Sequence, residues 1–444
     1  MSNMFSYCNM LEKLNLSNFN TTKVEDMSYM FNMCQKLTEL NLSNFKTEKV
    51  KKMSYMFSYC NMLEKLNLSN FNTAEVTNMS SMFYGCYKLP SLNLSNFNTA
   101  KVTNMSQMFY TCKELPSLDL TNFNTAKATN MQEMFKGCST LQTIYVSDNF
   151  VVTGITDENY KKDLFTGCEA LPEYGDAKTS SDYANYKTGY FTKLVVRNGD
   201  ERYGIKGETT QLTVDNLVLA DNKDFVAYDP FKATAASYNR TINTTWATLC
   251  LPFEVSLDGK NFRAFELGSV SNNEVVLKEL NTIIPAGTPV IIKMNDGETQ
   301  LNFTEADKEI ANEVKTAATA DGNYQLQGLY TQKLFDKNAD NNCYIVKGNK
   351  LMNPAKLMQN TNKETVGSKP FRAYMIDKSS APAAGAKMFS IGFDNDGTTA
   401  IDNLNTIAND NAIYYDLQGH RLNAPQKGIN IVKRGNKTMK VIIK

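Results

Sequence analysis

Histidine is nearly absent from this 444-residue chain: one residue, His420, against 47 Lys+Arg and 46 Asp+Glu. That scarcity leaves little room for Ser-His-Asp, Cys-His or His-ligated metal chemistry. Nor does one sign of charge prevail. A formal net charge of +1 excludes a whole-chain polycation, and no basic run supplies the patch that nucleic acid or an anionic membrane requires. No stretch approaches the roughly 20 apolar residues of a membrane-spanning helix. The nine cysteines contain no C-x2–4-C pair of the kind zinc sites use. What is present is a 42% apolar composition, enough to bury a core and too much for disorder. The length accommodates two or three domains.

The first 171 residues are governed by a repeat. Cys8, Cys34, Cys60, Cys86, Cys112 and Cys138 fall 26 residues apart. The pairs Met4-Phe5, Met30-Phe31, Met56-Phe57, Met82-Phe83, Met108-Phe109 and Met134-Phe135 share that interval, and Phe19, Phe45, Phe71, Phe97 and Phe123 follow it too. The unit reads M-S-x-M-F-x-x-C-x-x-L-x-x-L-N-L-S-N-F-x-T, with a degraded seventh copy at Leu164-Phe165, Cys168 and Leu171. Within it, Met27, Met30, Phe31, Cys34 and Leu37 sit at i, i+3, i+4, i+7 and i+10, which predicts a short amphipathic helix. Leu40 to Ser43 alternate and predict a strand.

A helix of about ten residues and a strand of about four cannot bury their apolar faces alone, so the units must stack. The expectation is an α/β solenoid of leucine-rich-repeat type, a parallel sheet plus short helices. Helices need ~8–10 Å between axes and strands ~4.8 Å, which places the sheet on the inner, concave side. The row of Phe19, Phe45, Phe71, Phe97 and Phe123 stands where many such repeats carry an Asn ladder. Each unit has one Cys, and the expected ~10 Å helix spacing keeps neighbouring thiols beyond disulfide reach. Buried thiols inside the apolar stripe follow, with the methionines as core filler. Met1 aligns with Met27, so the chain opens inside a unit without a signal peptide and reads as an N-terminally truncated array.

Alternation points one set of strand side chains outward. The candidate ligand-binding residues on this concave face are Glu39, Asn41, Lys65, Asn67, Ser91, Asn93, Asp119 and Tyr145. A row of amides with few charges suits an extended polar ligand such as a glycan or peptide. The competing interpretation is a merely solvated face, because strand positions that meet water must be polar.

With N-L-S-N-F-x-T and V-T-N-M-S-x-M-F-x-x-C in tandem, residues 1–171 resemble the BspA-like leucine-rich repeat of surface proteins of Bacteroidetes-type bacteria. The resemblance implies cell-surface or extracellular display and adhesion to host or neighbouring-cell proteins or glycans. It implies neither catalysis nor a cofactor.

Residues 172–192 read as a cap or linker. From 193 to 393, short apolar runs with turn signals predict an all-β, sandwich-like domain, with a helix or long loop over Glu305–Lys315. Trp246–Phe253 (W-A-T-L-C-L-P-F), Ile284–Pro289 and Lys369–Tyr374 resemble a β-domain frequent in secreted proteins of the same bacteria. Glu254, Asp258, Glu266 and Glu279 are its only carboxylates weighed for glycosidase work, and their spacing does not set them apart from surface charges, so no enzyme is expected. Cys250 lies in an apolar run and reads as a core residue. Asp394-Asn395-Asp396-Gly397 opens like a calcium loop, but the twelfth position is Asn405 and not Glu.

Residues 398–444 predict a small antiparallel β module. Tyr415-Asp416-Leu417-Gln418-Gly419 and Pro425-Gln426-Lys427-Gly428-Ile429-Asn430-Ile431-Val432 resemble the C-terminal sorting domain of type IX secretion, with Asn430 in place of Tyr and His420 in place of Arg. The implied partner is the secretion machinery. Two other functional classes compete: a carbohydrate-binding or glycan-active protein whose β-domain carries the activity, and a self-associating surface-layer component.

Overall fold

A computed structural model describes residues 1–271, 273–359, 361–379, 388–393, 413–416, 420–422, 426, 428–434 and 437–443. The Asp394–Gly397 run and Asn405 lie outside the described residues, as do all of 398–412 and parts of the sorting-like motifs. The chain divides into two compact units. One comprises Met1–Leu219, Lys223–Ser237 and Thr304–Asn312; the other comprises Ala220–Asn222, Tyr238–Phe303 and Glu313–Lys444.

The predicted α/β architecture does not form. Among the described residues the only α-helix is the single turn Pro354–Leu357, and the fold consists of β-strands in several sheets. The reason lies in the backbone of the repeat. Two residues per unit take left-handed dihedrals: Tyr29 (φ 57°) and Met33 (φ 64°), then Tyr55 and Tyr59 (both 56°), Ser81 (54°) and Gly85 (70°). A left-handed residue cannot continue a right-handed helix. The N–H groups of Met27, Tyr29, Phe31 and Met33 instead reach the carbonyls of Lys52, Ser54, Met56 and Ser58 in the next unit at 3.0, 2.9, 2.9 and 2.8 Å. The alternate N–H groups of Met30, Asn32 and Cys34 close turns within their own unit. The spacing i, i+3, i+4, i+7 thus encodes inward-facing positions of a double turn and not a helix.

Units therefore stack as coils, joined by backbone hydrogen bonds and by rows of identical side chains. Phe5, Phe31, Phe57, Phe83, Phe109, Phe135 and Phe165 form a continuous ring stack with centroids 5.6–5.8 Å apart and planes within 10° of parallel. Such offset pairs each add about 0.5–1.5 kcal/mol beyond burial. This spacing is too close for packed helices. It is also too close for the argument that distance keeps the thiols apart. They remain free because each is aimed elsewhere: Cys60, Cys86 and Cys112 Sγ donate to the carbonyls of Phe31, Phe57 and Phe83 at 3.2–3.3 Å. Burial pushes the Cys34 and Cys168 thiols up to about 12.

The second Phe row, Phe45, Phe71, Phe97 and Phe123, is also buried, but it does not replace an amide ladder. Asn44 and Asn96 Nδ2 donate to the carbonyls of Leu16 (2.8 Å) and Leu68 (2.9 Å), and Asn70 and Asn122 bond Ser43 and Ser95 in the same way. Beside it runs a ladder of fully buried threonines. Thr47, Thr73 and Thr99 each donate to the carbonyl, and accept from the N–H, of the asparagine lying 25 positions later.

Short parallel strands mark the polar face of the coils: β1 (Glu39–Asn41), β2 (Lys65–Asn67), β3 (Ser117–Asp119) and β4 (Thr143–Val146). β1 pairs with β2 and β3 with β4, whereas 91–93 is not a strand. Proline explains the gap. Glu64 N–H bonds the Thr38 carbonyl, but its counterparts Pro90 and Pro116 have no N–H to give. The sheet continues past the repeats, because β5 (Phe191–Asn198) pairs in parallel with β4 and in antiparallel fashion with β6 (Glu201–Ile205).

The second unit holds one curled ten-stranded sheet in place of the expected sandwich. Its strands run in the order 246–249, 290–294, 262–271, 274–280, 388–393, 350–352, 343–347, 373–377, 324–328 and 316–318. Trp246, Phe265, Leu277, Ile291, Leu326, Met375 and Phe389 pack in its core. Cys250 and Cys343 are buried and free. Of the region expected as a helix or long loop, Glu305–Lys315, the first part lies in the strand Gln300–Ile310 and 311–315 is a loop. Toward the C-terminus, strands 421–422, 413–415, 428–434 and 437–443 form an antiparallel four-stranded sheet.

Candidate functional site

The eight residues singled out from alternation line two grooves on the strand face of the repeat array. Glu39, Asn41, Lys65 and Asn67 line the larger, of about 850 Å³, together with Lys13 and Asn15. Ser91, Asn93, Asp119 and Tyr145 line the smaller, of about 490 Å³. The face is built by the pleat: Leu40 and Leu118 point into the core while Glu39, Asn41 and Ser117 are exposed.

The asparagines of this row have one end already committed. Asn15, Asn41, Asn67 and Asn93 each use Oδ1 to accept the N–H two residues on, at Ser17, Ser43, Ser69 and Ser95, at 3.0–3.1 Å. This is the Asx turn that closes each of these segments, strand or not. Part of the amide row is thus explained by folding alone. The Nδ2 ends of Asn41, Asn67 and Asn93 remain at the exposed surface and can donate to a ligand. Parallel strands set them ~4.8 Å apart where the ladder is intact, in a groove that also carries Glu39 beside Lys65 in register.

The second groove is more elaborate. Asp119 Oδ1 accepts from Thr121 N–H (3.2 Å) and Oγ1 (2.6 Å), and its Oδ2 is shared by two guanidiniums: Arg197 Nη2 at 2.7 Å and Arg202 Nε at 3.1 Å. Arg197 also donates to Thr121 Oγ1 at 2.6 Å, and its guanidinium lies 5.4 Å from the Tyr228 ring centroid. Burial works to raise the Asp119 pKa, but the Thr121 hydrogen bond and the two arginines outweigh it and hold the carboxyl below the usual carboxylate range. Burial raises the Tyr145 phenol, with Arg202 partly opposing. At neutral pH the groove therefore offers a fixed carboxylate, a phenol and two oriented cations.

Arg197 and Arg202 were not legible as part of this face. Their signal is the hairpin: Asn198-Gly199, with Gly199 at φ +61°, turns the chain so that Arg197 and Arg202 become cross-strand partners. Two like charges facing one another need a counter-charge, which Asp119 provides. The substitution Asp119→Asn should lower stability by about 1.5–3 kcal/mol at pH 7, the range for charged hydrogen bonds. Because the folded pKa is depressed, that stability is present above the ordinary carboxylate range of about 3.9 and is lost as the pH falls through the folded value. Thermal melts from pH 7 to about 2.5, below the ordinary carboxylate range, should show the wild-type and D119N curves converging in acid. A constant gap would contradict the assignment.

Two of the carboxylates considered for catalysis are held in ion pairs. Glu266 pairs with Lys278 (3.0 Å), and Glu279 forms a two-pronged bond to Arg263. Trp246 is largely buried, and the exposed His420 lies 3.0 Å from the Asp416 carboxylate through Nδ1. Among the described residues no helix is long and apolar enough to cross a membrane.

No curated protein and no solved structure is significantly similar to the chain. Residues 1–92 and 61–171 match the family described as Mycoplasma protein of unknown function, DUF285, so the repeat array, well under half of the chain, carries the repeat of that family.

Proposed function

We propose that this is a non-catalytic adhesion protein that uses the strand face of its repeat array to hold an extended protein segment or glycan. The observation that carries the reading is the pair of grooves over successive coils, lined by amide donors not consumed by the turn that fixes them. A ligand running across the coils meets the same amide donor at Asn41, Asn67 and Asn93, and then the charged cluster at Asp119. A face held by stacked backbone loses little entropy on association, so many weak contacts sum without a large ordering cost. The groove at Asp119, Arg197 and Arg202 adds charge-assisted hydrogen bonds, about twice as strong as neutral ones. Display at a bacterial surface, and export through the C-terminal strands, belong to the same proposal. They are supported by the motifs shared with BspA-like and sorting-domain sequences.

The test is a solid-phase screen of extracellular-matrix proteins and glycans with the full chain, wild type against N41R/N67R. Both positions are exposed, but each change also removes an Asx-turn acceptor. The unfolding midpoints of the two proteins are therefore compared first, and retention is read on folded protein, with two bulky cations filling the larger groove. Retention of the best ligand should fall at least tenfold. Equal retention by the two proteins would rule the reading out.

A further inference from the structure

The second unit contains a pocket of about 360 Å³ whose charged lining is entirely cationic: Arg240, Arg372, Lys347 and Lys369. Ser368 and the chain's one tryptophan, Trp246, also line it. Among the described residues one carboxylate lies against this cluster. Asp221 accepts from Arg372 and from Tyr238 Oη (3.0 Å), with Lys369 Nζ at 3.6 Å and Arg240 Nε at 3.8 Å. Four positive groups against one negative group leave a surplus.

Arg240 makes that surplus costly. It is 8% exposed, and its Nη1 donates to the Thr248 carbonyl at 2.7 Å, yet its buried Nε has no hydrogen-bond partner. A buried guanidinium N–H left unbonded is destabilising by itself. Burial, reinforced by Arg372, lowers the Arg240 pKa to about 10, so it stays charged at neutral pH and presses for a further anion. Such a group calls for an explanation, and a bound anion or water that completes it is one. Lys347 and Lys369, both exposed, stand at the rim as mobile point charges, whereas the two arginines present fixed forks suited to oxyanions.

We infer that this pocket binds the phosphate or sulfate group of a small organic monoester. The ester follows from size and lining. The volume exceeds what one tetrahedral oxyanion fills, and the remaining wall sets the apolar Ile345, Leu357 and Val366 beside the hydroxyls of Thr244, Thr248 and Ser368, a lining suited to a small organic group. A phosphate monoester, close to dianionic at neutral pH, answers the surplus better than a carboxylate does, and a sulfate monoester, a monoanion, offers the same cluster of oxygens to the arginine forks. The site is independent of the repeat array and stands whether or not the strand face binds a polymer.

Trp246 makes the site self-reporting, because all tryptophan emission comes from its wall. The full chain is titrated with inorganic phosphate, inorganic sulfate, glucose 6-phosphate, glucose 6-sulfate and glucose, at one ionic strength. A saturable change in emission is expected with both free ions and both esters, at lower concentration for at least one ester, and none with glucose. K347Q/K369Q should weaken binding at least tenfold with its unfolding midpoint unchanged. The site is refuted if no anion gives a saturable change, or if the variant binds as tightly as wild type. Free ions binding as tightly as both esters would refute the ester assignment.

Discussion

Phe83→Ala is expected to destabilise the repeat array by about 3–5 kcal/mol, the range for truncating a fully buried Phe. Phe83 is inaccessible to solvent and stacks on Phe57 at 5.6 Å and on Phe109 at 5.8 Å. Its N–H also bonds the Met108 carbonyl of the next coil. Removing the ring opens a void in a row where neighbouring coils are already in backbone contact and cannot close further. Phe5→Ala is the control. Phe5 has a coil on one side and is only partly buried, so its loss should cost less than half as much. Denaturant unfolding of the full chain, followed by circular dichroism, reads both. Equal effects would mean that the stack is not what holds the coils together.

Thr99→Val should cost about 2–4 kcal/mol although it changes almost no volume, because each orphaned backbone group costs about 1–3 kcal/mol. Thr99 Oγ1 donates to the Asn124 carbonyl at 2.9 Å and accepts the Asn124 N–H at 2.8 Å, in a fully buried position. Valine fills the same space and satisfies neither group. Thr22→Val, at an exposed site, should stay within about 0.5 kcal/mol of wild type. If both variants unfold at the same midpoint, the threonine ladder contributes nothing beyond shape.

These residues show what the sequence discloses and what it hides. A 26-residue period states which side chains share a row. Cys34, Cys60 and Cys86 do line up, each thiol on the carbonyl of the phenylalanine 29 positions earlier. The outward set Glu39, Asn41, Lys65 and Asn67 was likewise readable, because a two-residue alternation is the same in any strand. The helix was not there to be read. Burial at i, i+3 and i+4 is common to a helix and to two consecutive turns, and the distinction lies in dihedral sign at Tyr29 and Met33, residues with no compositional mark of a left-handed position. Gly85, Gly137 and Gly167 at the Met33 position were the available hint.

The charged part of the smaller groove was hidden for another reason. Asp119 meets Arg197 and Arg202 from far along the chain, the second of them 83 residues away, and no local pattern announces so distant a pairing. The ten-stranded sheet of the second unit was hidden in the same way. Short apolar runs foretold strands, but strand order is a property of long-range pairing, as when 274–280 lies beside 388–393.

Amide hydrogen exchange of the full chain, with and without the ligand best retained in the array screen, tests most directly whether the strand face is where this protein acts. Slowed exchange is expected over 39–43, 65–69, 91–95 and 117–121, the segments that line the two grooves. Slowing confined to the outward turns around Tyr29, Tyr55 and Tyr84, with the strand segments unchanged, would contradict the account.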